Sequence, residues 1–318
     1  MEMVKAKSIT KTNKEMGFIP KITQDFKKYK YLYLMVLPVL IYYIIFHYAP
    51  LYGATIAFKN FSPGKGIMGS PWVGFKHFEA FLSSVYFWRV FSNTLMINIL
   101  ELIFGFPAPI LLALLLNEIR NSAFKRTIQT VTYMPHFISL VVVCGMIVDF
   151  TSSEGVFNSI ITSLGGEKVL FLQKPEYFRT IYVASGIWQQ IGWGSIIYLA
   201  ALSSIDPSLY EAAYMDGAGR LRQLWHVTLP GIAPTIVILL ILNLGKMMNV
   251  GFEKIILLYN PATYETADVI SSFVYRRGLR ESNWSFGSAV GLLNSVINLV
   301  LITVSNKISR KLNETSLW

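Results

Sequence analysis

Six stretches of about 20 predominantly apolar residues recur along this chain, each long enough to cross roughly 30 Å of hydrocarbon as a helix. They cover residues 31–58, 90–116, 128–150, 181–202, 232–258 and 289–306. Little charge lies between them. Only 14% of the 318 residues are charged, against about 25% in an ordinary soluble domain, so polar residues are too few to cover a water-facing surface. Disorder is excluded by 21 Phe, 17 Tyr and 7 Trp, which offer far more burial than a disordered chain carries. A disulfide scaffold is excluded by the single cysteine, Cys144. The expected fold is an all-α integral membrane protein with six main transmembrane helices. Residues 1–30 are expected to form a basic tail, 31–306 the transmembrane domain and 307–318 a C-terminal tail. The first stretch is too long, and too far behind its polar leader, to read as a cleaved signal peptide.

The net charge of +10 suggests nucleic acid only if a soluble fold presents it as a basic face. In a membrane protein the same surplus collects in cytoplasmic loops. Residues 1–30, 117–127, 203–231 and 307–318 together carry 16 Lys and Arg, whereas 59–89, 151–180 and 259–288 with Lys254 carry 11 over a longer length. The imbalance predicts both termini in the cytoplasm. Arg276, Arg277 and Arg280 dissent from it, as a solvated charge run or as a contact for an acidic ligand or partner. Helix breakers, among them Pro38, Pro50, Pro107, Pro109, Pro135, Gly192, Gly194, Gly245 and Gly251, predict a bent, packed bundle, because neighbouring helices can satisfy the freed backbone groups. Few ionisable groups fall inside the stretches. Glu101 is the most conspicuous, with Lys246 as a candidate partner, and a polar packing contact competes with a transport role for it.

A polar segment, 204–231, separates the fourth and fifth stretches. Asp206 followed by Pro207 reads as an N-cap and first-turn proline that open a helix through Met215. Gly217 and Gly219 end it in a left-handed turn, and a second amphipathic helix over 221–229 is expected to stop before Pro230. This helix–turn–helix is too polar to cross a bilayer. Its spacing is also specific: Glu211-Ala212-Ala213, then Gly217, then Val227, Leu229 and Pro230. The pattern resembles the EAA signature of permease subunits of binding-protein-dependent ABC importers, with Val227 where Ile is commoner. Segments such as FGFPAPILLALLLNEIRN and FKRTIQTVTYMPHFISLVVV resemble the carbohydrate-uptake branch, including permeases for multiple sugars and polysaccharide fragments such as alginate and pectin oligosaccharides.

The resemblance implies a bacterial inner-membrane, multi-pass subunit paired with a second homologous permease, two ATPase subunits and an external solute-binding protein. Glu211, Ala212, Ala213, Asp216, Gly217, Leu229 and Pro230 would couple it to the ATPase, an amphipathic helix seated in a groove. ATP and Mg would be bound by that partner, because this chain carries no Gly-x4-Gly-Lys-Ser/Thr phosphate loop. The expected role is a non-enzymatic half of an oligosaccharide pathway. A secondary, ion-coupled transporter and a permease for a non-sugar solute are the competing readings. Trp188, Gln189, Gln190, Trp193, Asn243, Asn249, Asn294 and Asn298 are candidate pathway residues, since aromatic faces and amides suit sugar rings; interhelical hydrogen bonds are the alternative use for them. The histidines lack ligand spacing, so no metal site is expected, and with the surplus charge read as a topology signal no nucleic-acid binding is expected.

Overall fold

The computed structural model describes residues 28–313, so the expected basic tail lies almost entirely outside the described residues. Described elements are helical apart from an isolated antiparallel bridge between Lys59 and Trp72. The chain divides into two compact units, Met1–Thr55 and Ile56–Trp318. In the first, α1 (Lys30–Tyr43) contains Pro38 and continues through a π-helical turn, Ile44–Tyr48, with no buried side chain in either segment. The second unit begins its main helices with α2 (Lys76–Leu82) and α3 (Phe87–Leu100). There follow α4 (Pro107–Glu118), α5 (Ser122–Tyr133), α6 (Leu140–Thr151), α7 (Val156–Ser163), α8 (Pro175–Ser203), α9 (Pro207–Met215) and α10 (Arg220–Gln223). The last four are α11 (Leu229–Leu244), α12 (Phe252–Leu258), α13 (Ile270–Val274) and α14 (Trp284–Asn313).

Five helical segments are long and apolar enough to span a membrane: Lys30–Phe58, Phe87–Glu118, Leu140–Ser163, Arg220–Leu244 and Trp284–Lys311. The fourth predicted stretch lies on α8, which is 29 residues long but diluted by Ser185, Gln189, Gln190 and Ser195. Two boundaries cut a predicted stretch short. The third span starts at Leu140 rather than 128, because Pro135 sits in a 3-10 turn and Ser139 caps a new helix through Val142 N. The fifth ends at Leu244. Beyond it residues 245–251 turn, and Asn298 Oδ1 accepts the Met248 N–H at 3.0 Å, so the backbone leaves the helix without losing that hydrogen bond. At the other end of the chain, residues 307–313 of the expected tail continue α14.

Three π-helical turns explain how the spans pass Pro50, Pro107 and Pro230. Ile44–Tyr48, Glu101–Gly105 and Leu224–Thr228 each end two residues before a proline, Pro50, Pro107 and Pro230. Proline lacks an N–H and its ring crowds the carbonyl four residues back. Here that carbonyl belongs to the widened turn, and the preceding N–H bonds five residues back, as Phe106 N does to Glu101 O at 2.8 Å. The helix therefore continues. This corrects the expectation that the second loop helix stops before Pro230: Arg220 to Leu244 is one helical run.

The core of the second unit forms three clusters, and α8 contributes to two of them, through Phe178, Tyr182 and Val183 in one and Tyr198 and Leu202 in another. Cys144 is buried in the first. Gly192 and Gly194 do not break α8, contrary to their reading as helix breakers; they let it approach its neighbours. A Cβ on Gly192 would overlap the Thr132 carbonyl oxygen and lie 2.8 Å from Tyr133 N, both backbone atoms of α5. Gly192→Ala is accordingly expected to destabilise the fold by about 1–3 kcal/mol, the range for overpacking. Thermal melting of the detergent-purified chain checks this, since an unchanged midpoint would contradict the close backbone packing.

Candidate functional site

The loop between α8 and α11 is built by local chemistry. Asp206 caps α9, its carboxylate accepting the Ser208 N–H at 2.9 Å, with Pro207 in the first turn. At the other end Gly217 has φ +75°, a left-handed conformation that costs glycine little. Its N–H bonds to Tyr214 O at 3.0 Å and that of Ala218 to Ala213 O at 2.9 Å, the paired bonds of a Schellman cap. Gly219 instead has φ −70° and caps α10, so only one of the two expected glycines is left-handed. Tyr210 Oη lies 3.1 Å from Thr228 Oγ1 and fastens α9 to the π turn at the base of α11. A Cβ on Gly231 would lie 2.8 Å from Ile205 Cδ1, so the end of α8 is packed there as well.

Glu211, Ala212, Asp216, Gly217 and Pro230 are exposed, Ala213, Val227 and Leu229 half-buried. Beside them Tyr214, Met215, Leu221 and Trp225 are each 66% exposed or more. Large exposed apolar side chains beside the exposed charges of Glu211, Arg220 and Arg222 are characteristic of a docking face. Hydrogen bonds from the Ser208 backbone N–H and from its side chain hold the Asp206 carboxyl below the usual carboxylate range. A depressed folded pKa means the cap stabilises α9 above the ordinary carboxylate pKa and is lost as pH falls through the depressed value. Asp206→Ala is expected to raise hydrogen–deuterium exchange over 207–210 at neutral pH, whereas Asp206→Asn, itself a good cap, preserves protection and removes its acid dependence.

At the other end of α11 lies a cavity of about 500 Å³ between α4, α8 and α11. Gln190, Trp193 and Asn243 line it together with Glu101, Tyr198 and Lys246. His136 stacks on Trp193 with ring centroids 4.4 Å apart and places Nδ1 2.9 Å from Gln190 Oε1. The other pathway candidates lie elsewhere. Trp188 lines a separate apolar cavity with Val143, Phe150 and Phe157, and Gln189 is buried on α8. Asn294 Nδ2 donates to Asn249 Oδ1 at 2.9 Å, and Asn298 holds Met248 N, so these three amides tie α14 to the turn after α11.

Two features were not legible in the sequence. Lys254, counted there with the outer loops, is buried on α12 and donates to Tyr182 O at 2.8 Å. A Cβ on Gly186 would lie 3.4 Å from its Nζ and 4.0 Å from Glu101 Oε1, so the two charges face each other across that glycine. Lys246, the partner expected for Glu101, shares the cavity wall instead. The second feature is Asp268, fully buried, whose Oδ2 accepts from Arg276 at 2.6 Å and Arg89 at 3.2 Å and whose Oδ1 accepts from Ser272 at 2.8 Å. Asn93 Nδ2 donates to Asp268 O and Glu265 O, and Asn93 Oδ1 receives Arg179 at 2.8 Å. Arg276 is therefore a structural ion-pair partner, and Arg277 pairs with Glu281 at 2.8 Å. Among the described residues no group of three His, Cys, Asp or Glu is placed to hold a metal ion.

Known proteins share this architecture. Among curated relatives, the polygalacturonan/rhamnogalacturonan transport system permease protein YteP of Bacillus subtilis (strain 168) is 44% identical over 311 residues, 98% of this chain and 96% of that one. Protein LplB of the same organism is 46% identical over 293 residues, 92% of each chain. A chain from the crystal structure of a bacterial alginate ABC transporter in complex with alginate pentasaccharide-bound periplasmic protein superposes with a TM-score of 0.86. It is 45% identical and covers 92% of this chain and 99% of its own. The model of the binding-protein-dependent transport system inner membrane component matches residues 105–314, from the π turn before α4 through the exposed loop to the end of α14. The chain therefore belongs to the binding-protein-dependent transport system inner membrane component family.

Proposed function

We propose that this chain forms half of the translocation pathway of an ATP-driven importer for an oligosaccharide. It is the transmembrane component, and ATP hydrolysis belongs to a partner ATPase. Six spans, with α8 as the fourth, and both termini in the cytoplasm place the 204–231 loop on the cytoplasmic side. A second, homologous permease completes the pathway, two ATPase subunits grip the loops from below, and an external solute-binding protein delivers the sugar.

The observation that carries the reading is the continuity of the helical run from Arg220 to Leu244. Its lower end is fastened to the exposed Glu211 helix, and Leu242 and Asn243 near its upper end line the cavity. At 1.5 Å per residue α11 alone spans about 24 Å. A displacement at α9 therefore reaches Asn243, which shares the cavity with Gln190 and Trp193 of α8, through a helix rather than a loop. Trp193 offers a face for the apolar side of a sugar ring, and Gln190 and Asn243 offer amides for its hydroxyls. Relatives bearing polygalacturonan/rhamnogalacturonan and alginate in their names support an oligosaccharide as cargo.

The test is co-purification of the chain with its partners, followed by ATPase and uptake assays in proteoliposomes with and without the binding protein and candidate glycans. Stimulation of ATPase by glycan-loaded binding protein is the expected result. A complex without an ATPase, or ATPase activity indifferent to both additions, overturns the reading.

A further inference from the structure

Another cavity, of about 400 Å³, opens between α12, α13, α14 and the π-helical turn Tyr275–Arg280. Its size lies within the range of small-ligand sites, about 300–1,000 Å³. Phe252 and Tyr275 form an aromatic corner in its wall, ring centroids 5.2 Å apart and 65° inclined. Ser271 and Asn294 line it too, and each has a buried side-chain oxygen, Oγ and Oδ1, with no hydrogen-bond partner. Buried polar atoms are nearly always paired, so two orphans in one cavity wall point to a polar group that belongs there. A lipid tail could fill the space but would leave both oxygens desolvated and unmatched. A hydroxyl-bearing ring matches both: its O–H groups donate to Asn294 Oδ1 and exchange a hydrogen bond with Ser271 Oγ, while its C–H face rests on the aromatic corner.

We infer that the cavity bounded by Phe252, Ser271, Tyr275 and Asn294 is a second sugar-ring subsite, for a pyranose unit of the transported oligosaccharide. The inference rests on the importer reading above. The site is joined to the main cavity through the chain itself: Asn294 is bonded to Asn249, six residues beyond Asn243 on the same strand of backbone. Two subsites suit a cargo of several rings.

Gly291 supplies a clean probe. It lines the cavity on α14, and a Cβ built on it meets no heavy atom within 4 Å. Gly291→Leu thus occupies part of the space from a Cβ position that meets nothing and improves helix propensity. Ser271→Ala removes one orphan oxygen, and Tyr275→Phe keeps the ring where Tyr275→Leu removes it. Each variant is assembled into the complete importer with its binding protein and assayed with galacturonate and alginate di- and pentasaccharides. Gly291→Leu, Ser271→Ala and Tyr275→Leu are expected to reduce pentasaccharide uptake, roughly two- to tenfold for the single lost hydrogen bond of Ser271→Ala. Disaccharide uptake, sugar-free ATPase and melting temperature stay near wild type, and Tyr275→Phe behaves as the parent. Pentasaccharide uptake unchanged in Gly291→Leu and Ser271→Ala overturns the subsite while leaving the importer intact. Equal loss of both sugars and of basal ATPase also overturns it, as a packing role. Failure of the wild-type importer to carry any of these glycans counts against the oligosaccharide reading itself and takes the subsite with it.

Discussion

Glu211→Lys is expected to reduce ATP-driven uptake at least about 30-fold, the equivalent of roughly 2 kcal/mol, a modest cost for reversing a charge within a docked interface. Glu211 lies in the middle of α9, exposed, with Ala212 beside it and Tyr214 and Met215 following. It makes no contact that the chain's own fold depends on, so substitution there should change stability by no more than about 0.5 kcal/mol. Membrane insertion and melting should match wild type, and the loss should appear as failure to retain the ATPase during purification. Normal uptake by Glu211→Lys would remove this helix from the coupling surface. Ala212→Trp, which blocks close approach without altering charge, should give the same uncoupling.

The second large effect concerns stability. Asp268→Ala leaves Arg89 and Arg276 facing a buried site without their common acceptor, and breaking a buried ion pair from one side costs about 3–5 kcal/mol. The Arg89 and Arg276 side chains retain 34% and 20% exposure, which places the cost near the lower limit. Ser272 loses its acceptor as well. A fall in melting temperature of roughly 4–6 °C follows for a chain of this size. Asp268→Asn keeps an acceptor for Ser272 and should lie between the two. A melting temperature unchanged in Asp268→Ala would refute the clasp.

Asp268 also marks where sequence reading stops. Its partner Arg89 is 179 residues away, and nothing local distinguishes it from any loop aspartate. Asp206 was legible for the opposite reason: its cap, the proline after it and Gly217 act within one turn of themselves, so the residues that make the conformation are adjacent in the chain. Pro230 was misread because the rule that proline ends a helix holds for the α-helical hydrogen-bond pattern. A π turn changes which carbonyl the ring meets. Gly192 was misread because a glycine's meaning depends on what lies opposite it, here the backbone of α5.

The pathway candidates divide in the same way. Their residue types were apparent, but helical wheels do not reveal which faces meet. Gln190, Trp193 and Asn243 converge on one cavity, Asn249 and Asn298 bond within the fold, and Asn294 does both, its Nδ2 bonded to Asn249 and its Oδ1 in the wall of the cavity beside Tyr275. The apolar stretches, their approximate number and the exposed helix–turn–helix follow from the sequence by itself. Hydropathy and capping are properties of consecutive residues, and water enforces them wherever the segment lies. The continuity through Pro230, the burial of Lys254 opposite Glu101, the Asp268 clasp and the division of polar residues between cavity and packing were decided only in three dimensions. The continuity depends on the π turn at Leu224–Thr228; the others depend on partners that tertiary packing brings from far along the chain, as Arg89 comes to Asp268.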